Sequence, residues 1–546
     1  MRQFLLYIFM LLCAPYFVAQ AQDTSPEQKR LIYFTDKANS PYSLQQPLAY
    51  LSQKALDRRQ RQSIALKERD LPVNPSYVTG LKAQGVKVWY TSRWFNAAVV
   101  QCSDEEIAAL EALPYVRSSR TLNRIAVPTQ GTLSAGQVET VAFLNTPEEL
   151  YGLSFHQANM LGAIELHSAG FKGSGMTIAV LDAGFPGVNT ISAFTHLFQQ
   201  NKIKGTFDFV QKQENVYGAN SHGTSVLSTM AAYDPGKIIG TAYEANYILL
   251  RTEDAATEHN IEEINWLLAA EYADSAGADV INSSLGYNTF DSPSTSYTYS
   301  EMDGNTSLVA KAADLAAQVG MLIITSAGNE GGSPWKYISS PADADSVLAV
   351  GAVDSLGVKA TFSSFGPSAD GQIKPDVVAL GRLAYVLSAA GNLGKANGTS
   401  FSGPIVAGFA ASLWQANPGK TNYEIIQMLR RSGSQAANPD NNIGYGIPSY
   451  SRVLSSPALF PTGDKVFITN PVTDKPIVLL LGQEWLKHSM DVQILNATGK
   501  LIMRQQIKQP AAEQKLKLEP HTLSSGLYLC RISSGSAAVT VRFIKL

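Results

Sequence analysis

Two serines stand two residues apart in "NGTSFSGP" (residues 397–404), framed by glycines and closed by a proline. A serine hydroxyl becomes a nucleophile only when a base takes its proton and an orienting group holds that base. The stretch after Ser400, "FSGPIVAGFAASLWQANP", is apolar almost all round and rich in small residues. That pattern predicts a helix buried in a core, with Pro404 in its first turn. Unpaired N–H groups and the positive dipole end at such a helix start would stabilise an oxyanion forming beside either hydroxyl. Serine is also a favoured helix cap, so this stretch alone leaves both serines, and a structural role, open. The G-x-S-x-G elbow of α/β-hydrolases fits neither, because Ser402 follows Ser400 by two and Pro404 follows Ser402 by two.

Of the 7 histidines, His222 has the surroundings a base needs. It lies in "NSHGTSVLSTMAA", where Gly223 and Thr224 lead into a second small-residue helix. A carboxylate that could fix its tautomer is Asp182, near the end of "MTIAVLDAGF". An Asp closing a buried run needs a partner, because burying an unpaired charge is costly. Serine, histidine and aspartate together are the equipment of acyl transfer.

The elements that must position these residues lie between about residues 151 and 454. There, apolar runs ("MTIAVLDAG", "NYILLRT", "ADVINSSLG", "GMLIITSAGNE", "SVLAVGAVDS") alternate with helical patterns such as "NIEEINWLLAAEYADSAG". Runs apolar throughout predict strands buried on both faces of a parallel sheet, hence an α/β domain with its site at the C-terminal strand ends. Ahead of it, residues 31–120 mix strands ("LIYFT", "VKVWYTSRWFNAAVVQC") with helices ("PLAYLSQKALDRRQ", "SDEEIAALEAL"). Ser103 and Glu106 form a capping box, and the whole reads as a small α+β domain. The charge run "DRRQRQ" (residues 57–62) reads as the solvated face of a helix. Residues 123–149 are polar and irregular, a linker open to proteolysis. From about residue 461 short strands with turn signals, "NATGK" among them, predict a C-terminal β-sandwich.

Length and composition agree with several globular domains: 546 residues, 45% hydrophobic and 16% charged. The net charge of −2 provides no field for nucleic acid or anionic lipid. Residues 1–21 read as a signal peptide, with Arg2, an apolar run and an A-x-A site at residues 19–21. No later apolar run reaches the length of a membrane span. Cys13 falls inside that leader, Leu12 is too bulky for a lipoprotein box, and Cys102 and Cys530 alone remain. Neither a disulfide framework nor a zinc site is indicated.

The three motifs resemble those of subtilisin-like serine proteases, which carry D-[ST]-G, H-G-T and G-T-S-x-[AS]-x-P in that order. Here these are residues 182–184, 222–224 and 398–404. The resemblance selects Ser400 as nucleophile, with His222 as base and Asp182 as its orienter. It implies a serine endopeptidase that needs no cofactor and acts on polypeptide substrates. It further implies an oxyanion hole from Asn329 of "SAGNEG" and the Ser400 N–H, and a substrate-lining strand through Ser284, Leu285 and Gly286. Glu330 would stand at the rim of the specificity pocket. Structural calcium is left open, with no EF-hand-type loop present. Residues 22–145 resemble a subtilase propeptide, the chain's own intramolecular inhibitor, removed by autocatalysis with the cut expected in the linker that follows Arg120. Residues 146–455 form the peptidase domain. Residues 461–546 resemble the sorting domain of type IX secretion substrates, through "NPVTDK", "VQILNATGKL" and "LSSGLYLCRI". The secretion machinery is the implied partner, and a secreted or surface-attached product the implied location. Ala183, Ser225, Phe401 and Ser402 depart from the family's usual residues. The alternatives are a catalytically silent surface or adhesion protein on the same fold, and an esterase, which the missing elbow disfavours.

Overall fold

In the computed structural model, residues 27–122 and 146–455 are described continuously, and parts of 466–545. The signal peptide, Cys13 and linker residues 123–145 lie outside the described residues.

The apolar runs form one seven-stranded parallel sheet. Its order is Val377–Leu380, Val347–Val353, Leu322–Ser326, Val280–Ser283, Thr177–Asp182, Asn246–Arg251 and Ile203–Asp208. All six pairings are parallel. Strand side chains alternate between faces, and here both faces are core. Ile178, Val180 and Leu249 join one apolar cluster, while Ala179, Leu181, Ile248 and Leu250 join the other. The first face is covered by two helices, His222–Ala231 and Thr399–Ala416. The second is covered by Ile261–Ala276 and Leu308–Gln318.

The N-terminal domain is a four-stranded antiparallel sheet ordered Lys87–Ser92, Ala97–Cys102, Gln28–Phe34, Val116–Thr121. The predicted capping box is present: Ser103 Oγ accepts from the Glu106 N–H at 3.2 Å, and Glu106 accepts from the Ser103 N–H at 2.8 Å. Leu31, Trp94, Ala97, Val99 and Leu122 join the second-face cluster, so this domain packs on the pair of helices opposite His222 and Ser400.

Two readings need correction. Arg58 and Arg59, expected on a solvated face, are buried in the helix Gln53–Arg61. The cause is a partner more than two hundred residues away, buried Asp274. Arg59 Nη1 and Nη2 reach its two oxygens at 2.7 and 2.8 Å, and Arg58 pairs with it as well. A guanidinium is buried only when paired and hydrogen-bonded, and Arg58 Nε also donates to the Val319 carbonyl at 3.1 Å. Secondly, the end of the supposed linker is structured. Thr146 and Glu149 form a capping box at the head of the helix Pro147–Tyr151.

The C-terminal region holds a three-stranded and a four-stranded antiparallel sheet sharing one apolar cluster, as a sandwich requires. "NATGK" is the expected hairpin turn, with Gly499 at φ 78° and its N–H donating to Asn496 O at 2.9 Å. Among the described residues no helix is long and apolar enough to cross a membrane.

Candidate active site

Asp182 is the last residue of its strand and is 0% exposed. Its Oδ1 accepts the Ala183 N–H at 2.8 Å and faces His222 Nδ1 at 2.8 Å. Its Oδ2 is buried with no hydrogen-bond partner among the described residues. His222 opens the helix His222–Ala231, its backbone N–H held by Asn220 Oδ1 at 2.9 Å. The glycine that follows permits this approach: a Cβ on Gly223 would lie 2.4 Å from the Gly184 carbonyl and 2.9 Å from Asp182 Cβ. With Nδ1–H committed to Asp182, Nε2 is the nitrogen free to accept a proton. The side chain is 33% exposed, so the ring edge reaches solvent. Burial lowers the His222 pKa, but the charge and hydrogen bond of Asp182, followed by the charge of Glu253, outweigh it and leave the pKa raised above 6.5.

Ser400 is the second residue of the helix Thr399–Ala416 and is 8% exposed. The helix begins earlier than expected, which moves Pro404 from the first turn into the second. A proline there cannot donate to the carbonyl four residues back, and that carbonyl belongs to Ser400. The freed oxygen accepts instead from Ser284 Oγ at 3.0 Å, while Ser400 Oγ donates to the Ser284 carbonyl at 3.3 Å. The reciprocal pair fastens the expected nucleophile to the expected substrate strand. In this state the Ser400 hydroxyl points at Ser284 and not at His222. The Phe401 ring lies against the His222 ring, centroids 5.9 Å apart and tilted by 43°. Ser402 is buried, and its Oγ donates to the Thr399 carbonyl at 3.1 Å within the same helix turn.

Asn329 follows the strand Leu322–Ser326. Its Oδ1 accepts from the Thr399 N–H at 2.8 Å and the Thr399 hydroxyl at 3.0 Å. The amide oxygen being taken, the exposed side chain has its NH₂ left to offer. Glu330 is half-buried beside it, its N–H held by Ser364 Oγ at 2.9 Å. Ser284 is buried at the end of the strand Val280–Ser283, Leu285 is half-buried, and Gly286 is exposed. All these residues gather at the C-terminal edge of the sheet, where an open parallel sheet holds its ligands.

Sequence reasoning missed Glu253. It lies two residues beyond the strand beside Asp182, is 7% exposed, and accepts from the hydroxyls of Tyr287 at 2.6 Å and Thr252 at 2.7 Å. "LLRTED" carries no local signal that separates Glu253 from Asp254, because the partner Tyr287 meets it from another strand. Glu253, Glu258 and Glu262 bring carboxylate oxygens within 4.8 Å of one another, the donor chemistry of a hard cation. Burial first, then mutual repulsion, raises Glu258 to about 8 and Glu262 to about 11.

Comparison with known proteins agrees with this geometry. Residues 173–446 match the model of the Subtilase family, residues 29–135 that of the Peptidase S8 propeptide domain of Bacteroidota, and residues 469–546 that of the secretion system C-terminal sorting domain. The chain is similar to Subtilisin NAT of Bacillus subtilis subsp. natto, 32% identical over 292 residues covering 53% of this chain and 67% of the relative. It resembles Subtilisin of Bacillus pumilus at 31% identity, covering 52% and 91% of the two chains. Similarity to M-protease of Shouchella clausii is 30% over 349 residues, 64% and 76% of the two chains. A propeptide marks the chain as a zymogen, and the sorting domain marks its product as secreted or held at the cell surface through type IX secretion. With the seven-stranded parallel sheet, these matches establish that the chain belongs to the subtilase family of serine endopeptidases.

Proposed function

We propose that the catalytic domain hydrolyses peptide bonds through Ser400, His222 and Asp182, and that the chain is an autoprocessed zymogen. The Ser400 hydroxyl turns from the Ser284 carbonyl toward His222 Nε2, loses its proton there and attacks the substrate carbonyl. Catalytic hydrogen bonds are often long or misaligned in free enzymes and tighten with substrate bound, so the resting orientation of Ser400 is compatible with this step. Asp182 holds the ring and stabilises the imidazolium. The Ser400 N–H and Asn329 NH₂ bind the oxyanion, each such donor contributing about 10²–10³ in turnover. His222 then protonates the leaving amine, and water resolves the acyl-enzyme. Substrate lies along Ser284, Leu285 and Gly286, with Glu330 at the pocket rim favouring basic side chains.

The observation that carries this reading is the 2.8 Å contact between His222 Nδ1 and buried Asp182, with Phe401 holding the Ser400 helix against the same ring. The propeptide acts as the chain's own intramolecular inhibitor until it is removed. In support, Leu31, Trp94, Ala97, Val99 and Leu122 are buried in one apolar cluster with the helices of the catalytic domain, so the domain is docked in the unprocessed chain. The sorting domain hands the chain to the secretion machinery. Expression of the full chain beside Ser400→Ala tests the reading. Wild type sheds its N-terminal domain and digests casein, and the variant does neither. Normal processing and digestion by Ser400→Ala would remove the assignment.

A further inference from the structure

Asn282 lies on the strand Val280–Ser283 and is 0% exposed. Its neighbours in the sheet are Val180 and Ile324, both in the apolar cluster that the Ser400 helix covers. Side chains alternate along a strand. Ser283 faces the other way, where its Oγ accepts from Trp266 Nε1 at 2.9 Å, so Asn282 faces the Ser400 helix. A Cβ on Gly403, near the start of that helix, would lie 4.0 Å from Asn282 Oδ1.

An asparagine amide has two donors and an acceptor oxygen. Among the described residues Asn282 makes one bond: Nδ2 donates to Ser284 Oγ at 3.2 Å, while Oδ1 is buried without a partner. The sense of that bond follows from Ser284, whose hydroxyl carries one proton and gives it to the Ser400 carbonyl at 3.0 Å. The group facing its lone pair must then be a donor, which turns Nδ2 and not Oδ1 towards it. A buried polar atom left without a partner costs stability, so stability does not account for an amide among apolar neighbours. The bond it does make leads in two steps to the backbone of Ser400.

We propose that Asn282 is a positioning residue for Ser400. By donating to Ser284 Oγ it commits that hydroxyl's single proton to the Ser400 carbonyl, the oxygen that Pro404 leaves without a helical donor. The relay from Asn282 through Ser284 fixes the start of the helix, and with it the Ser400 N–H and Oγ, against the strand along which substrate lies. Without Asn282 the Ser284 hydroxyl is free to turn away from that carbonyl. The role rests on Ser400 being the nucleophile.

The test is a double-mutant cycle on one chromogenic peptide: matured wild type, Asn282→Leu, Ser284→Ala and the two combined, with Ser400→Ala alongside. Values of kcat are referred to active sites titrated with an acylating inhibitor, so that unfolded protein does not count. Leucine keeps the branched shape and cannot donate. Asn282→Leu lowers kcat about three- to tenfold, the worth of one hydrogen bond, with KM within about twofold. In the Ser284→Ala background the same change has no further effect, because the relay is already cut. An equal loss in both backgrounds, or a wild-type kcat in Asn282→Leu, would show Asn282 to act on the fold alone and overturn the proposal. If Asn282→Leu does not fold, Asn282→Ala takes its place in the cycle. If neither folds, neutron diffraction on wild type decides: a deuteron on Asn282 Nδ2 aimed at Ser284 Oγ supports the relay, and a Ser284 hydroxyl aimed at Asn282 overturns it. An active Ser400→Ala would instead overturn the nucleophile assignment, so the two failures are told apart.

Discussion

Asp182 and Asp274 are both fully buried aspartates of the catalytic domain, and they are treated in opposite ways. Asp274, on the helix Ile261–Ala276, is saturated by three propeptide guanidiniums, those of Arg58, Arg59 and Arg93. Burial pushes its carboxyl up, but Arg59, Arg58 and Arg93 outweigh that and hold it well below the usual carboxylate range. One turn away, buried Glu271 accepts from Ser92 Oγ at 2.5 Å and from the N–H groups of Arg93 and Trp94 at 3.0 and 3.1 Å. Asp182 has one backbone N–H and one imidazole, and an oxygen without a partner among the described residues. A carboxylate that docks two domains is neutralised so fully that its charge is fixed. One proposed to serve a base keeps its field for the single partner whose proton moves.

The comparison breaks if the two aspartates answer alike to removal. Asp182→Asn leaves the side-chain shape but reverses the hydrogen-bond sense at His222 Nδ1, and kcat falls by about 10⁴, read with a peptide substrate. The same change leaves propeptide docking intact. Asp274→Ala removes the one carboxylate that Arg58, Arg59 and Arg93 share, a loss of about 3–5 kcal/mol. In the full chain carrying Ser400→Ala, the propeptide then becomes about 10²–10⁴ times more accessible to added trypsin. Turnover by matured Asp274→Ala enzyme that still folds stays near wild type. An Asp274 variant that lost turnover as Asp182→Asn does would erase the distinction.

Acid separates the two sites without mutation. The folded pKa of His222 is raised above 6.5, so the free base is lost as pH falls through that higher value. The folded pKa of Asp274 is depressed below 3.8. Its contribution is complete above the unfolded value and is lost only as pH falls through the folded one. Between pH 7 and pH 5, matured enzyme loses activity reversibly while the propeptide in the Ser400→Ala chain stays protected from protease. Release of the propeptide by mild acid alone would show that the arginine cluster does not govern docking.

What could be read from the sequence divides along the same line. Asp182, His222 and Ser400 sit in short motifs whose neighbours are dictated locally: Gly223 by the close approach to Asp182, and Pro404 by the carbonyl it must vacate. The apolar strand runs were legible because both sheet faces are covered, by helices of the same domain. Arg58 and Arg59 read as solvent-facing because a charge run says nothing of a carboxylate at position 274. Glu253 was passed over for the same reason, since Tyr287 and Asp182 meet it only through the sheet. Local rules carry the catalytic motifs, and long-range pairing carries the docking surface and the groups behind the base.

The smallest effects lie next to the proposed nucleophile, Ser400, and sharpen the contrast between satisfied and poised groups on one helix. Phe401→Ala removes the ring against His222, an aromatic contact worth about 0.5–1.5 kcal/mol. It should lower kcat by roughly two- to tenfold, with Phe401→Leu between the variant and wild type. Ser402→Ala removes a hydroxyl already spent on the Thr399 carbonyl, a back-bond that supports a helix weakly at best. Because Thr399 is fixed independently by Asn329, through both its N–H and its hydroxyl, the oxyanion side of the site keeps its anchor. Ser402→Ala therefore retains kcat and KM within about twofold. A larger loss would mean that the Thr399 carbonyl, and not the Asn329 contact, sets the start of the Ser400 helix.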